Sequence, residues 1–192
     1  KFLLTRAVRE PVVYAFYIGV TSPLTLVLAP FGLMGVSWQD FFIALVGGVC
    51  FVLALYFLYV ATQQTSISRL LPIEGGFVPV FTLAFAYVIL GERLLQNQLL
   101  AFIFLVFGAV LIAFRKEETG WQASALGNGM IAAILFALSF VLTKYIFNLT
   151  NFVSGIIWTR LGFFAASMAF LIPSKNRRQI FSAPKETTTG NK

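Results

Sequence analysis

A carboxylate set in an apolar run is the first feature of this sequence that could do chemistry. Glu74 lies within Leu71-Pro-Ile-Glu-Gly-Gly-Phe-Val-Pro-Val-Phe81, flanked by Pro72, Gly75, Gly76 and Pro79. Proline removes a backbone donor and frees a carbonyl of the preceding turn, and paired glycines let water or a small molecule approach that backbone. The combination suits the wall of a polar cavity with Glu74 as its principal charged group. It suits equally a carboxylate that reaches water near the end of an apolar segment, beside Arg69, in a helix with ordinary proline kinks. Arg160 is the second candidate, about eight residues and so ~12 Å into another apolar run, too deep for a terminal anchor without snorkelling. It could attract an anion or fix helix packing by binding backbone carbonyls, and packing is the favoured role. Glu92 and Arg93, at a helix end, read as a turn-shaping pair.

Other chemistry lacks its parts. Histidine is absent and Cys50 is the only cysteine, which removes Ser-His-Asp and Cys-His catalysis, most zinc sites and an intrachain disulfide. A Gly-x-x-x-x-Gly-Lys loop is absent too, so direct ATP drive is not expected, and with these parts missing neither an enzyme with a catalytic residue nor a metal site is expected.

The elements that must position these residues follow from composition. Apolar residues make up 59% of the chain and charged ones 11%, with a mean hydropathy of +0.88, too few polar groups to cover a water-facing surface. Lipid is the expected solvent. Six stretches approach the ~20 apolar residues that a crossing helix needs, at about 11–34, 41–62, 70–90, 97–114, 125–143 and 152–172. Runs such as Phe41-Phe-Ile-Ala-Leu-Val46 show no polar alternation, which excludes β-barrel strands. The expected fold is an all-α, polytopic transmembrane helix bundle whose short polar connections force antiparallel hairpins. Gly47, Gly48, Gly108, Gly155 and Gly162 would let helix backbones approach. Tyr14, Tyr17, Trp38, Trp121 and Trp158 suit interfacial belts, and the Asn148-Leu149-Thr150 sequon, in a very short connection, reads as chance.

The net charge of +7 forms no stripe for nucleic acid; it follows topology. Lys1, Arg6, Arg9, Arg69, Arg115, Lys116, Lys175, Arg177, Arg178, Lys185 and Lys192 fall on the side from which the chain enters the first stretch, and only Arg93 and Lys144 on the other. The positive-inside rule places the first side in the cytoplasm.

Shifting the chain by 143 residues aligns Lys1 with Lys144, Gly19 with Gly162, Leu28 with Leu171 and Pro30 with Pro173. A repeat of that length implies a five-helix unit, and an odd number of spans inverts the second unit, a transporter layout. The chain opens on Lys1 rather than Met and ends in a polar stretch, 174–192, read as a loop or truncated tail, so a fragment is expected.

The run from Leu71 to Phe81, followed by Leu90-Gly-Glu-Arg-Leu94, Gln98-Leu-Leu-Ala-Phe102 and Phe107-Gly-Ala-Val-Leu111, resembles the EamA domain of the drug/metabolite transporter superfamily. Leu126-Gly127, Ala137 to Lys144 and Thr159-Arg-Leu161 resemble the start of a second copy. The resemblance implies a first repeat over 1–114 lacking its first helix, a linker at 115–124 and the start of a second repeat at 125–173, from a ten-helix whole. It implies a secondary transporter or exporter of small metabolites working by alternating access without a cofactor, in a bacterial or archaeal plasma (inner) membrane. Membrane lipid and a small-molecule substrate are the expected partners, nucleic acid is not, and neither coupling ion nor oligomeric state can be read. The family commonly keeps its N-terminus in the cytoplasm, opposite to the charge distribution. The competing reading is a non-transporting scaffold or partner subunit of the same fold.

The topology is testable: cysteines replacing Lys116 and Lys175 should label from one membrane side and one replacing Arg93 from the other. Labelling of the Lys116 and Arg93 positions from the same side would contradict it.

Overall fold

In a computed structural model the structure describes residues 10–93, 95–113 and 123–189, with side-chain placement for all of these except 68–69, 73, 109–110, 112–113 and 182–189. Lys1, Arg6, Arg9, Arg115, Lys116, Trp121, Lys192 and most of the 115–124 linker lie outside them. The described chain is helical, in the order α1 (Pro11–Thr21), a 3-10 helix (Ser22–Phe31), α2 (Trp38–Gln64), α3 (Ile67–Phe85) continuing as a π-helix (Ala86–Leu90), α4 (Gln96–Ala113), α5 (Ala123–Leu149), α6 (Phe152–Phe170) and α7 (Ser174–Thr189).

Among the described residues, five helices are long and apolar enough to cross a membrane: Pro11–Phe31, α2, Leu70–Leu90, α5 and α6. They form an all-α, membrane-type bundle. The sixth expected span, 97–114, is α4. It runs over Gln96–Ala113, 18 residues and so ~27 Å at 1.5 Å per residue, close to the ~30 Å hydrocarbon core. The polar stretch after Pro173, expected as a loop or tail, starts as α7 instead. Its Ile180 is buried with Val12, Val13 and Phe16 of α1, and Gln179 Nε2 donates to Glu10 Oε2 at 2.8 Å. One apolar contact and one hydrogen bond thus fold a segment whose composition alone reads as loop.

Contacts fix the directions. α2 runs antiparallel to α5, with Gly47 against Leu142 and Gln64 Oε1 accepting from Asn128 Nδ2 at 3.1 Å. It runs parallel to α6: Phe51 stacks on Phe163 at 4.6 Å and Tyr56 meets Phe170 at 5.7 Å. α1 lies antiparallel to α6, since Ser167 Oγ donates to Phe16 O at 3.1 Å and Ser22 Oγ to Arg160 O at 2.9 Å. α3 packs on the other side of α5. One end of the bundle therefore carries Asp40, Glu92, Lys144 and Asn151, and the opposite end Glu10, Gln64, Asn128 and α7, as hairpin alternation requires.

Among the described glycines, the closest approach of backbone to backbone is between α2 and α6. A Cβ on Gly48 would overlap the Thr159 carbonyl oxygen and the Gly162 backbone, and one on Gly162 would overlap the Leu45 carbonyl and Gly48 Cα. Only two facing glycines permit this approach.

The first span changes helix type at Ser22, ahead of Pro23 and Pro30. Ten residues of 3-10 helix is long for a geometry that rarely exceeds four. Hydroxyls serve its carbonyls: Thr21 Oγ1 donates to Tyr17 O at 2.8 Å and Thr25 Oγ1 to Ser22 O at 2.8 Å. The following strand of chain crosses the start of α6, where Asn151 Nδ2 donates to Gly32 O at 2.6 Å, Met34 N to Ser154 Oγ at 2.7 Å and Trp158 Nε1 to Met34 O at 2.9 Å.

Inserting a methyl into the α2–α6 contact should cost about 1–3 kcal/mol per site, so Gly48→Ala and Gly162→Ala should each lower the thermal unfolding midpoint in detergent. Gly127→Ala, whose Cβ would meet nothing within 4 Å, should not. Equal losses at all three positions would contradict the packing.

Candidate functional site

α3 begins after Ser66 and remains α-helical through both of its internal prolines, Pro72 and Pro79. The backbone opening expected at the prolines is not where the helix departs from α geometry; that happens about two turns beyond Pro79, in the π-helix Ala86–Leu90. Pro79 still cannot donate to the carbonyl four residues back, on Gly75. Gly75 is exposed with open space around it, so the helix carries the proline without a break and leaves that carbonyl accessible.

The π-helix ends at Gly91, whose φ of 67° lies in the left-handed region that favours glycine. The amides of both Gly91 and Glu92 donate to Ala86 O, the latter at 3.3 Å. This closure, of the kind that ends helices, turns the chain sharply and carries Glu92 and Arg93 over the end of α3. There Lys144 Nζ of α5 meets Glu92 Oε2 at 2.6 Å. Both side chains are about half exposed, so the pair adds little to stability; its importance is where it sits.

It sits on a cavity. A volume of about 850 Å³ opens between α3, α4 and α5, lined by Pro79 and Thr82 of α3, by Glu92, Arg93 and Lys144, and by Gln98 at the start of α4. Its remaining wall is apolar, including Val78, Leu83, Phe102, Phe140 and Val141. That is the size and make-up of a small-molecule site, an apolar chamber with a few polar groups gathered at one end. Thr82 Oγ1 is buried there with no hydrogen-bond partner among the described residues.

Glu74 is not on the cavity lining, but it shares a helix face with it. Glu74, Val78 and Thr82 are spaced four residues apart, so they form one stripe along α3 that extends ~12 Å. Both Glu74 carboxylate oxygens are buried and likewise lack a hydrogen-bond partner among the described residues. Hydrocarbon cannot supply one. Water, a ligand or a segment outside those residues has to serve it. The Arg69 side chain, the neighbour considered from sequence, is among the side chains not described. Pro72 and Gly76 are buried on α3, so Glu74, Pro72, Gly75, Gly76 and Pro79 remain on one helix while only Pro79 reaches the cavity.

Arg160 is apart from all of these. Its guanidinium carbon lies 4.4 Å from the centroid of the Phe163 ring, a cation–π geometry, and its carbonyl accepts from Ser22 Oγ. Its helix packs on α1 and α2, and that of Glu74 on α4 and α5. The described residues contain no group of three or more acidic or cysteine side chains placed to hold a metal ion.

The model of the EamA-like transporter family matches residues 3–114, more than half of the chain. The chain belongs to the EamA-like transporter family. No curated protein and no solved structure matches it. In this EamA-family chain the Gly91-Glu92-Arg93 stretch of the motif has a visible structural consequence, since it ends the π-helix and sets a carboxylate and a guanidinium at the cavity mouth. The residues that sequence reading left out of the site are Thr82, Glu92, Arg93, Gln98 and Lys144. The available signal was that Arg93 and Lys144 are the two cations of an otherwise cation-poor side, with Glu92 beside one of them.

Proposed function

We propose that this EamA-family protein is a secondary transporter of small metabolites that works by alternating access, and that α3 lines its substrate route. The observation that carries this reading is the cavity of about 850 Å³ against α3, whose helix face bears two buried polar groups without partners among the described residues, Glu74 and Thr82. A structural helix in lipid has no use for such groups, which are costly there unless water or a ligand serves them. The inverted-repeat layout has support from α1 and α6, which the 143-residue shift makes equivalent and which pack antiparallel against each other. The end bearing Lys175, Arg177 and Arg178 is assigned to the cytoplasm on charge, in a bacterial or archaeal plasma membrane. A scaffold of the same fold would retain the bundle but carry no flux.

The test is flux of labelled metabolites into vesicles containing the full-length protein. Wild-type vesicles should exceed empty ones. Glu74→Gln keeps size and hydrogen bonding but removes charge, and it should lower flux about tenfold, a barrier change of ~1.4 kcal/mol, with insertion and abundance preserved. No flux above empty vesicles for any metabolite tried would favour the scaffold. Normal flux in Glu74→Gln together with lost expression of Glu74→Leu would make Glu74 structural.

A further inference from the structure

The polar groups at the cavity mouth have an uneven charge. Glu92 is engaged by Lys144 at 2.6 Å, whereas Arg93, which also lines the cavity, has no acidic partner among the described residues. The other acidic group at this end of the bundle, Asp40, is bonded to Ser37 Oγ at 2.7 Å and lies 3.5 Å from Tyr145 Oη. Two cations and one carboxylate therefore face a chamber walled by Phe102 and Phe140. Below them Thr82 Oγ1 offers a hydroxyl whose hydrogen-bonding capacity is unused among the described residues.

From this arrangement we infer that the cavity between α3, α4 and α5 takes small amphipathic organic anions, with the acidic head on Arg93 and Lys144 and the apolar body between Phe102 and Phe140. Guanidinium matches a planar carboxylate with two parallel donors, which favours an acid over a neutral analogue of the same shape. A positively charged analogue would meet two like charges, with a single carboxylate already engaged to set against them. The Glu92–Lys144 pair gives the site an internal competitor: an incoming acid has to share Lys144 with Glu92. Removing the Glu92 charge should thus strengthen acid binding rather than weaken it, an outcome that a purely structural ion pair would not give. The wide apolar wall explains why a bare inorganic anion is not the ligand, since it would leave most of the chamber unfilled.

This inference rests on the cavity being the substrate site, and a binding experiment separates it from the transport reading. The probes share one body: 4-phenylbutyrate, 4-phenylbutanol and 4-phenylbutylammonium, titrated calorimetrically into the full-length protein in an uncharged detergent. The acid should bind about tenfold more tightly than the alcohol, the gain of one charge-assisted contact, and the ammonium compound least. Arg93→Gln should reduce the acid's advantage to about twofold or less, and Lys144→Gln should reduce it further because Glu92 is then unpaired. Glu92→Gln should increase it severalfold. Alcohol affinity serves as the fold control in each variant. Equal affinity for acid and alcohol would mean a merely oily chamber and would overturn the inference. So would an acid preference that survives both Arg93→Gln and Lys144→Gln, or displacement of the acid by phosphatidylglycerol at equal concentration, which would make the occupant a lipid. Acid-selective binding in a protein without flux would overturn the transport reading alone; flux without acid preference would overturn the ligand class alone.

Discussion

The contact of Gly48 with Gly162, backbone against backbone, fixes the position of everything else in the bundle. Helices in lipid gain no hydrophobic driving force from meeting one another, because the tails they leave are as apolar as their side chains. Close van der Waals contact has to hold them, and it is greatest where no Cβ keeps the backbones apart. α2 uses adjacent residues for two such meetings, with Gly47 turned to α5 and Gly48 to α6. Around that junction Phe51 touches Phe136 at 5.3 Å and Phe163 at 4.6 Å, so one ring ties α2 to both neighbours. α5 is thereby held as a fixed wall, and α3, packed on its far side, leaves the chamber between itself, α5 and α4.

Irregular backbone is found where the chain can serve it. The 3-10 segment of the first span is accompanied by Thr21, Ser22 and Thr25, and the turn after it by Asn151, Ser154 and Trp158 of α6. The π-helix at the end of α3 is closed by two amides on one carbonyl at Gly91. π-Helical turns are rare and often mark functional sites, and this one borders the cavity. What distinguishes α3 from the other helices is that its side-chain polar groups, at Glu74 and Thr82, have no such internal partners among the described residues. The bundle satisfies its scaffold and leaves its candidate site unsatisfied.

Much of this was legible in the residues because membrane constraints are local. Length and hydropathy mark the spans, polar connections mark the hairpins, and a buried Glu among prolines and glycines marks α3 as unusual. The family motifs, lying along one continuous stretch, identified the fold for the same reason. The cavity was not legible, because it depends on Lys144 reaching Glu92 across 52 positions of sequence, and neither residue is unusual in its own segment. Read alone, Glu92-Arg93 is a helix-end pair; only the position of α5 makes it a cavity mouth. α7 was missed because, among the described side chains, its docking rests on Ile180 buried against α1 in an otherwise polar stretch. Arg160 is where sequence offered two roles, and its guanidinium lies on the Phe163 ring, away from the cavity.

The central claim is that substrate passes the α3 face at Thr82. Cys50 is the one cysteine of this sequence and is buried, so with Cys50 and any further cysteine of the full-length protein replaced by alanine, Thr82→Cys is the reactive site. The deciding measurement is metabolite flux in vesicles before and after treatment of that variant with a bulky water-soluble thiol reagent, with Phe104→Cys, exposed on α4, as the comparison. The expected result is that Thr82→Cys is modified and flux stops, while Phe104→Cys vesicles are unaffected. Complete modification at Thr82→Cys with unchanged flux, or no reaction there at all, would contradict the claim.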